Sequence, residues 1–182
     1  MERNLVLVAL FAALIAALGL IPRITLGSGI PITAQSMGIM LCGTVLGARR
    51  GALAVLLFLG LVALGLPLLA GGRGGLGVFT TPWAGFLFGF PVAAYVTGMV
   101  VERVRTGNLN MVAAIASVVG GIGGLYLVAI PYYMIMKPAG LTEALVTAMA
   151  PFMPGDLIKA VLAGLITAAI YKARPSAVLS RA

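Results

Sequence analysis

The sequence contains no histidine and a single cysteine, Cys42. A lone cysteine cannot form an internal disulfide, and it provides no thiolate cluster for zinc or for iron and sulfur. The absence of histidine removes the commonest metal ligand and proton shuttle, and also the usual base of a nucleophilic cysteine or serine. We therefore predict no catalytic residue, no metal site and no cofactor.

Charge is also scarce, and it is almost all of one sign. Charged residues make up 9% of the 182-residue chain, whereas an ordinary soluble domain has about 25%. The chain has four acidic and twelve basic residues, so its net charge is +8. The basic residues occur singly or in pairs between long apolar runs, which does not favour nucleic-acid binding. With a mean hydropathy of +1.16, the composition indicates an integral membrane protein.

Long apolar runs recur along the whole chain. A helix that crosses the hydrocarbon core needs about 20 apolar residues. By this criterion the predicted spans are residues 4–21, 35–48, 51–69, 83–101, 110–136 and 154–171. We expect the first to be retained rather than cleaved as a signal peptide, and the fifth to have an extra turn or a break near Pro131. The sequence predicts one all-α domain over residues 1–182, a bundle of six transmembrane helices, with a shorter interfacial helix within residues 141–151.

The distribution of lysine and arginine predicts the orientation of these helices. One side would carry both termini and eight basic residues, which are Arg3, Arg49, Arg50, Arg103, Arg105, Lys172, Arg174 and Arg181. The other side would carry four, which are Arg23, Arg73, Lys137 and Lys159. We therefore expect a multi-pass protein of the cell membrane with both termini in the cytoplasm.

Residues 70–77 read AGGRGGLG, and Gly72, Gly74 and Gly77 match the pattern G-x-G-x-x-G of dinucleotide-binding loops. Such a loop must follow a buried strand and open a helix of a βαβ unit. Here it follows a membrane helix and lies on the predicted outer side, so a nucleotide site is not expected. The chain also has no P-loop lysine motif, and we do not expect it to hydrolyse ATP by itself.

The same stretch could instead approach a small molecule. Glycines lack side chains, so the backbone at Gly71, Gly72, Gly74 and Gly75 can come close to a ligand. Arg73 lies between them and would be either a cation for that ligand or a charge in a solvated loop.

Alanines recur at intervals of four in the first span, at Ala9, Ala13 and Ala17 and again at Ala12 and Ala16. This spacing places each set on one helix face, which another helix can approach closely. The face could hold the bundle together, or it could dock a separate membrane subunit. Sequence alone leaves both possibilities open.

Ionisable residues within a membrane bundle are costly and are functional candidates by default. In PFMPGDLIKA, Pro154 suits the first turn of a helix, and Asp156 and Lys159 are three residues apart and hence on one face. They could simply cap and neutralise the helix, or they could face a cavity and bind a polar ligand. Gln35 and Trp83, at the same predicted side, are weaker candidates, since a turn residue and an interfacial aromatic would look the same.

Four segments in this order resemble the BioY family, the biotin-specific substrate-binding subunits (S components) of energy-coupling factor (ECF) transporters. They are PITAQSMGIMLCGTVLGARRGALAVLLFL, GLPLLAGGRGGLG, GFLFGFPVAAY and PGDLIKA, and they run from the second predicted span to the sixth. One position departs from the family, because Phe86 stands where a tyrosine commonly follows the glycine loop.

The resemblance implies a six-helix S-component fold with a biotin pocket near the outer face. Two loops would close it, the one between the first two helices and the one after the third. Asp156 would accept a hydrogen bond from a ureido N–H of biotin, and Lys159 would donate to the ureido oxygen or pair with the carboxylate. Arg73 is a candidate for that carboxylate, and the loop glycines, Gln35 and Trp83 would complete the pocket.

The expected function is therefore high-affinity capture of biotin outside the cell and its delivery inward. A separate transmembrane coupling subunit, docked on Ala9, Ala13 and Ala17, and two ABC-type ATPase subunits would be the partners. One alternative is a solitary or homo-oligomeric biotin transporter. Another is an intramembrane enzyme with Asp156 and Lys159 as acid and base, and a third is a purely structural subunit.

Overall fold

The computed structural model describes the backbone of residues 2–21, 24–25 and 31–181. Within these ranges the α-helices are α1 (Glu2–Leu18), α2 (Gln35–Leu46), α3 (Ala48–Ala63), α4 (Ala84–Arg103), α5 (Leu109–Ala116), α6 (Leu125–Met136), α7 (Leu141–Ala148) and α8 (Met153–Ala173). A π-helical segment, Ser117–Gly124, joins α5 to α6, and short 3₁₀ turns occupy Leu76–Thr80, Pro175–Ala177 and Leu179–Arg181. Two short strands, β1 (Ile24–Thr25) and β2 (Pro31–Ile32), pair antiparallel. The prediction of a helical membrane protein is confirmed.

Three helical stretches in the described ranges are long and apolar enough to cross a bilayer, namely Ala84–Arg103, Leu109–Met136 and Met153–Ala173. They correspond to the predicted spans 83–101, 110–136 and 154–171. Asn4–Leu18 and Gln35–Leu46 are shorter apolar helices.

The predicted span 51–69 differs from α3 at both ends. The helix begins at Ala48, directly after Gly47, whose φ of 85° turns the chain back from α2. It ends at Ala63, because Gly65 adopts a φ of 103° and the amides of Gly65 and Leu66 donate to the carbonyls of Val62 and Leu61. This pair of hydrogen bonds is a Schellman motif, which closes a helix when glycine follows its last residue.

The irregularity expected near Pro131 lies elsewhere. Pro131 is inside α6, and the helix continues through it. The departure from α-helical geometry is the glycine-rich π segment Ser117–Gly124, about two to four turns earlier. There, a Cβ added to Gly120 would collide with the backbone nitrogen of Thr97 on α4. The glycines therefore permit close backbone contact between the π segment and α4.

Small residues bring the backbones of several helix pairs together. A Cβ on Gly43 of α2 would lie 2.5 Å from the carbonyl oxygen of Ala94 on α4. A Cβ on Gly98 of α4 would collide with the backbone of Ala48 on α3. Helix α4 thus lies centrally, against α2, α3 and the π segment. For these glycines the small-residue spacing holds the bundle together.

The two ends of the bundle gather different segments. One end, here called the loop end, carries the glycine loop 70–75 and the first turns of α2, α4 and α8. The opposite end, here called the arginine end, carries the α2–α3 corner and the last turn of α4. There the Ser180 hydroxyl donates to the carbonyl of Thr44, which attaches the last described residues to α2.

Candidate ligand-binding site

A cavity of about 340 Å³ opens at the loop end. Helices α2, α4, α6 and α8 and the glycine loop all contribute side chains to it. Its walls are mostly apolar and aromatic, from Leu69, Phe86, Leu87, Phe90, Leu125 and Phe152. A volume of this size and an apolar lining suit a small organic ligand.

The polar side of the cavity centres on Asp156. Lys159 Nζ lies 2.9 Å from Asp156 Oδ1, and the two side chains are only 12% and 6% exposed. Ser36 Oγ donates to the same oxygen at 3.4 Å and accepts from Lys159 Nζ at 2.9 Å. Tyr126 Oη donates to Asp156 Oδ2 at 2.9 Å. Three donors from three helices thus hold one buried carboxylate, and its charge is compensated by the adjacent ammonium.

The local sequence explains how α8 presents this pair. The helix begins at Met153 with Pro154 in its first turn. Proline is tolerated there because backbone N–H groups of the first turn make no hydrogen bond within the helix. Asp156 lies in the same turn, and the spacing of three residues brings Lys159 onto its face, as the sequence predicted. Among the described residues, the donors to the Asp156 carboxylate are the side chains of Ser36, Tyr126 and Lys159. A simple helix cap is therefore not its role in this structure.

Ser36 and Tyr126 were not predicted as site residues. Ser36 follows Gln35 in the second span and looks like an ordinary helix-start residue. Tyr126 gave a weak signal, because a tyrosine within a long apolar run usually needs a partner for its hydroxyl. Its partner is 30 residues away along the chain, so the sequence did not identify it.

Gln35 borders the cavity, but its polar atoms are bound to the protein itself. Its Nε2 donates to the carbonyls of Ile15 and Leu68 at 3.2 and 2.9 Å, and its Oε1 accepts from the amide of Ala70 at 3.0 Å. The residue is 3% exposed. Gln35 therefore clamps the end of α1 and the start of the glycine loop onto α2.

The glycine loop forms a tight turn beside the cavity. Leu69 and Arg73 exchange backbone hydrogen bonds across it, and Gly71 and Gly72 between them have φ values of 82° and 68°. Side chains other than glycine rarely adopt such values. Arg73 lines the cavity, and its Nε donates to the carbonyl of Ala70 at 3.3 Å.

The next two glycines hold this turn against the last turn of α3 and the residues that follow it. Gly75 has a φ of 81°, and its amide donates to Val62 at 2.8 Å. A Cβ on Gly74 would collide with the carbonyl oxygen of Leu66. None of the four predicted glycines is among the described residues that line the cavity. They shape the turn that holds Arg73 at the rim.

Aromatic side chains close the cavity on the α4 side. Trp83 lines it and packs 5.2 Å from the ring of Tyr133 and 6.1 Å from that of Phe86. Phe86 also meets Tyr126 edge-on at 5.8 Å and Phe152 at 5.9 Å. Phe86 brings no hydroxyl, but the neighbouring Tyr126 brings one into the same cavity.

Two further features were expected at the site and on the first helix, namely a closing loop between α1 and α2 and an alanine face on α1. Part of the connection between α1 and α2, Arg23 included, lies outside the described residues. On α1, Ala9, Ala13 and Ala17 are exposed, whereas Ala12 is buried. The two alanine rows therefore differ, since only the row with Ala12 packs inside the bundle.

Comparison with known proteins identifies the family. A sequence model described as the BioY family matches residues 2–176. The chain belongs to the BioY family. It is 53% identical to the "Biotin transporter BioY" of Rhodobacter capsulatus over the whole of both chains. It is 52% identical to the protein of the same name from Rhizobium etli, with 95% of each chain covered.

A solved structure extends the similarity to three dimensions. It is described as the "S-component for biotin from an ECF-type ABC transporter", and it has a TM-score of 0.85 and 30% identity. The match covers 94% of this chain and 92% of that one. The expected BioY membership is thus confirmed, and the BioY relatives are named as transporters, which is the functional class that the sequence predicted.

Proposed function

We propose that this chain is the biotin-binding membrane subunit, or S component, of an ECF-type transporter. One observation carries the proposal, the apolar cavity at the loop end with a buried carboxylate and ammonium on one wall. Membership of the BioY family supplies the ligand. The BioY relatives are named as biotin transporters, and the solved structure is described as an S component of an ECF-type ABC transporter. That description favours a coupled transporter over a solitary one.

The hydrogen bonds of Asp156 leave room for the ureido group of biotin. A carboxylate has about four lone-pair sites. Oδ1 accepts from Lys159 and Ser36, and within the described residues Oδ2 accepts from Tyr126 alone. One acceptor site at Oδ2 is therefore open to a ureido N–H, and the thioether ring would lie against the aromatic wall.

Lys159 and Arg73 would serve opposite ends of the ligand. The Lys159 ammonium is held at the Asp156 carboxylate and therefore lies at the ureido end, where it can donate to the ureido oxygen. Arg73 lines the same cavity from the glycine loop, and its side chain reaches the rim from another direction. Its guanidinium would pair with the carboxylate of the valerate chain.

In the membrane, the chain would form one domain of six spans with both termini in the cytoplasm. The loop end would then face outward, and biotin would enter there. Supporting this arrangement, the predicted inner side carries eight of the twelve basic residues. The helices α1, α2 and α3 are short, so they would cross with their ends in the interfacial region.

The energy for uptake would come from other subunits, because the sequence has no nucleotide-binding motif. A transmembrane coupling subunit would dock on the exposed row Ala9, Ala13 and Ala17, and ABC-type ATPases would bind to that subunit. The exposure of this row in the described bundle supports the assignment. Small residues allow another membrane helix to approach closely.

Biotin titration of purified protein tests the binding site. Asp156→Asn keeps the shape but removes the charge, and we expect biotin affinity to fall by about 10- to 100-fold, the range for a lost hydrogen bond to a charged group. The matched control is Glu143→Gln, the same change at an exposed position of α7. Wild-type affinity in Asp156→Asn, or an equal loss in the control, would remove the basis for this site.

The assignment of Arg73 has its own measurement. Wild-type protein should bind biotin more tightly than biotin amide, because the amide lacks the carboxylate. In Arg73→Gln this preference should disappear while the affinity for biotin amide stays unchanged. If the preference for biotin over biotin amide persists in Arg73→Gln but disappears in Lys159→Gln, then Lys159 rather than Arg73 pairs with the biotin carboxylate.

A further inference from the structure

A second cavity, of about 560 Å³, lies at the arginine end, and uptake of biotin does not explain it. It opens between the α2–α3 corner and the last turns of α4. Three arginines line it, Arg49, Arg50 and Arg103, together with Glu102. Tyr95 and Met99 continue its wall along α4.

This cavity carries a surplus of positive charge. Three arginines and one glutamate leave two uncompensated charges. Glu102 is also occupied, since its Oε1 accepts the amide hydrogen of Ala48 at 2.9 Å. Within the described residues, the one ion pair is that of Lys159 and Asp156 at the other end of the bundle. An anion is therefore the ligand that would relieve the repulsion.

Helix α3 adds to the surplus. Arg49 and Arg50 lie in its first turn, where the helix dipole is positive and no acidic residue is present. Cations are disfavoured at this position of a helix, and anions are favoured. The Glu102 carboxylate, which accepts the amide hydrogen of Ala48, offsets one of these charges, and the rest of the surplus stays unfavourable unless a further anion binds.

The wall along α4 becomes apolar with distance from the arginines. Arg103, Met99 and Tyr95 share one face of the helix, and eight residues of helix rise by about 12 Å. The same face continues to Val92 and Phe88, which are 38% and 44% exposed. The site therefore combines a cationic head region with an apolar, outward-facing strip.

We propose that this cavity binds the headgroup of an anionic phospholipid. The phosphodiester would lie among the three guanidinium groups, and an acyl chain would follow Tyr95, Val92 and Phe88 along α4. Basic pockets at the ends of membrane helices bind anionic headgroups in this way. Basic residues that only set the membrane orientation need no cavity. Lys172 and Arg174 are an example, because they are exposed at the end of α8 and line no described cavity.

Native mass spectrometry of the full chain in detergent tests the site with defined lipids. Dioleoylphosphatidylglycerol should bind more tightly than dioleoylphosphatidylcholine to the wild-type protein. In the double variant Arg49→Gln/Arg103→Gln this affinity should fall by at least about tenfold, as expected for two lost surface cations. The control Lys172→Gln/Arg174→Gln removes the same charge from the same end and should keep it.

Three results would overturn the proposal. The first is equal affinity for the two lipids, and the second is an equal loss in both double variants, which would indicate diffuse attraction. The third is displacement of phosphatidylglycerol by millimolar inorganic phosphate, which would make a soluble anion the ligand. Thermal unfolding of each variant checks its fold, and the single variant Arg103→Gln, at an exposed position, replaces the double variant if that one unfolds.

Discussion

At the scale of single residues, the hydroxyl of Tyr126 makes the hydrogen bond that most directly orients the Asp156 carboxylate in the binding site. It donates to Asp156 Oδ2, the oxygen that we assign to the ureido group of biotin. The ring itself is buried against Phe86, so a change to phenylalanine keeps the packing. Tyr126 is therefore a positioning residue whose effect passes through Asp156.

For Tyr126→Phe we expect biotin affinity to fall by about tenfold, because the Asp156 carboxylate loses one of its three donors and is free to turn. The matched control is Tyr132→Phe, since the Tyr132 hydroxyl donates to the carbonyl of Phe79 and lines no described part of the cavity. Titration of both variants with biotin and with biotin amide gives the comparison. If both lose affinity equally, Tyr126 has no specific role at the site.

Gln35 shows how far a single residue could be interpreted from sequence. A polar side chain at the start of the second span predicted a contact with the pocket, and Gln35 does border the cavity. Its amide nevertheless makes three hydrogen bonds to the backbone of other segments. The acceptors at Ile15 and Leu68 are far from it in sequence, so only the packed bundle revealed the clamp.

At the scale of elements, the π segment between α5 and α6 brings the backbone against α4. Gly120→Ala should lower the free energy of unfolding by about 1–3 kcal/mol, the usual cost of overpacking, because the new methyl group would collide with the backbone of Thr97. The control is Gly123→Ala in the same segment, where the nearest atom is 3.8 Å from the added Cβ. Unfolding midpoints in detergent should separate the two variants, and equal midpoints would contradict the close contact.

The elements differ in how well the sequence predicted them. Helices α4 and α8 were predicted to within a few residues, because long apolar runs bounded by glycine, proline and charge encode them locally. The end of α3 was wrong by six residues, since the apolar run continues to Leu69 after Gly65 has already closed the helix. The π segment was missed, because hydropathy carries no information about hydrogen-bond spacing.

At the scale of the whole molecule, the same substitution should have different effects in the two alanine rows of α1. Ala13→Leu alters the exposed row and should leave biotin binding unchanged. Biotin uptake by cells that carry Ala13→Leu should fall on the order of tenfold, because a bulky side chain would overpack the contact with the coupling subunit. Cellular uptake of labelled biotin and co-purification of ATPase subunits from the native membrane measure the effect.

Two controls accompany this prediction. Ala169→Leu places the same side chain on an exposed position of α8, which packs against α2 and α5 rather than α1. It should retain uptake. Ala12→Leu enlarges a residue that is 3% exposed and should destabilise the bundle itself. Normal uptake by Ala13→Leu would exclude the alanine face as the docking site.

Local chemistry was sufficient to predict the membrane class, the long helices and the pairing of Asp156 with Lys159, because each depends on composition or on spacings within one helix. The BioY resemblance depends on the order of four short segments, which the sequence also shows directly. The packing of helices was needed to place Ser36 beside Asp156, to separate the exposed alanine row from the buried one, and to bring Arg103 beside Arg49. Ser36 is 120 residues from Asp156 in the chain. Contacts at such separations depend on which helix faces meet and in what register, and many alternative pairings of smooth apolar helices satisfy the same hydropathy pattern.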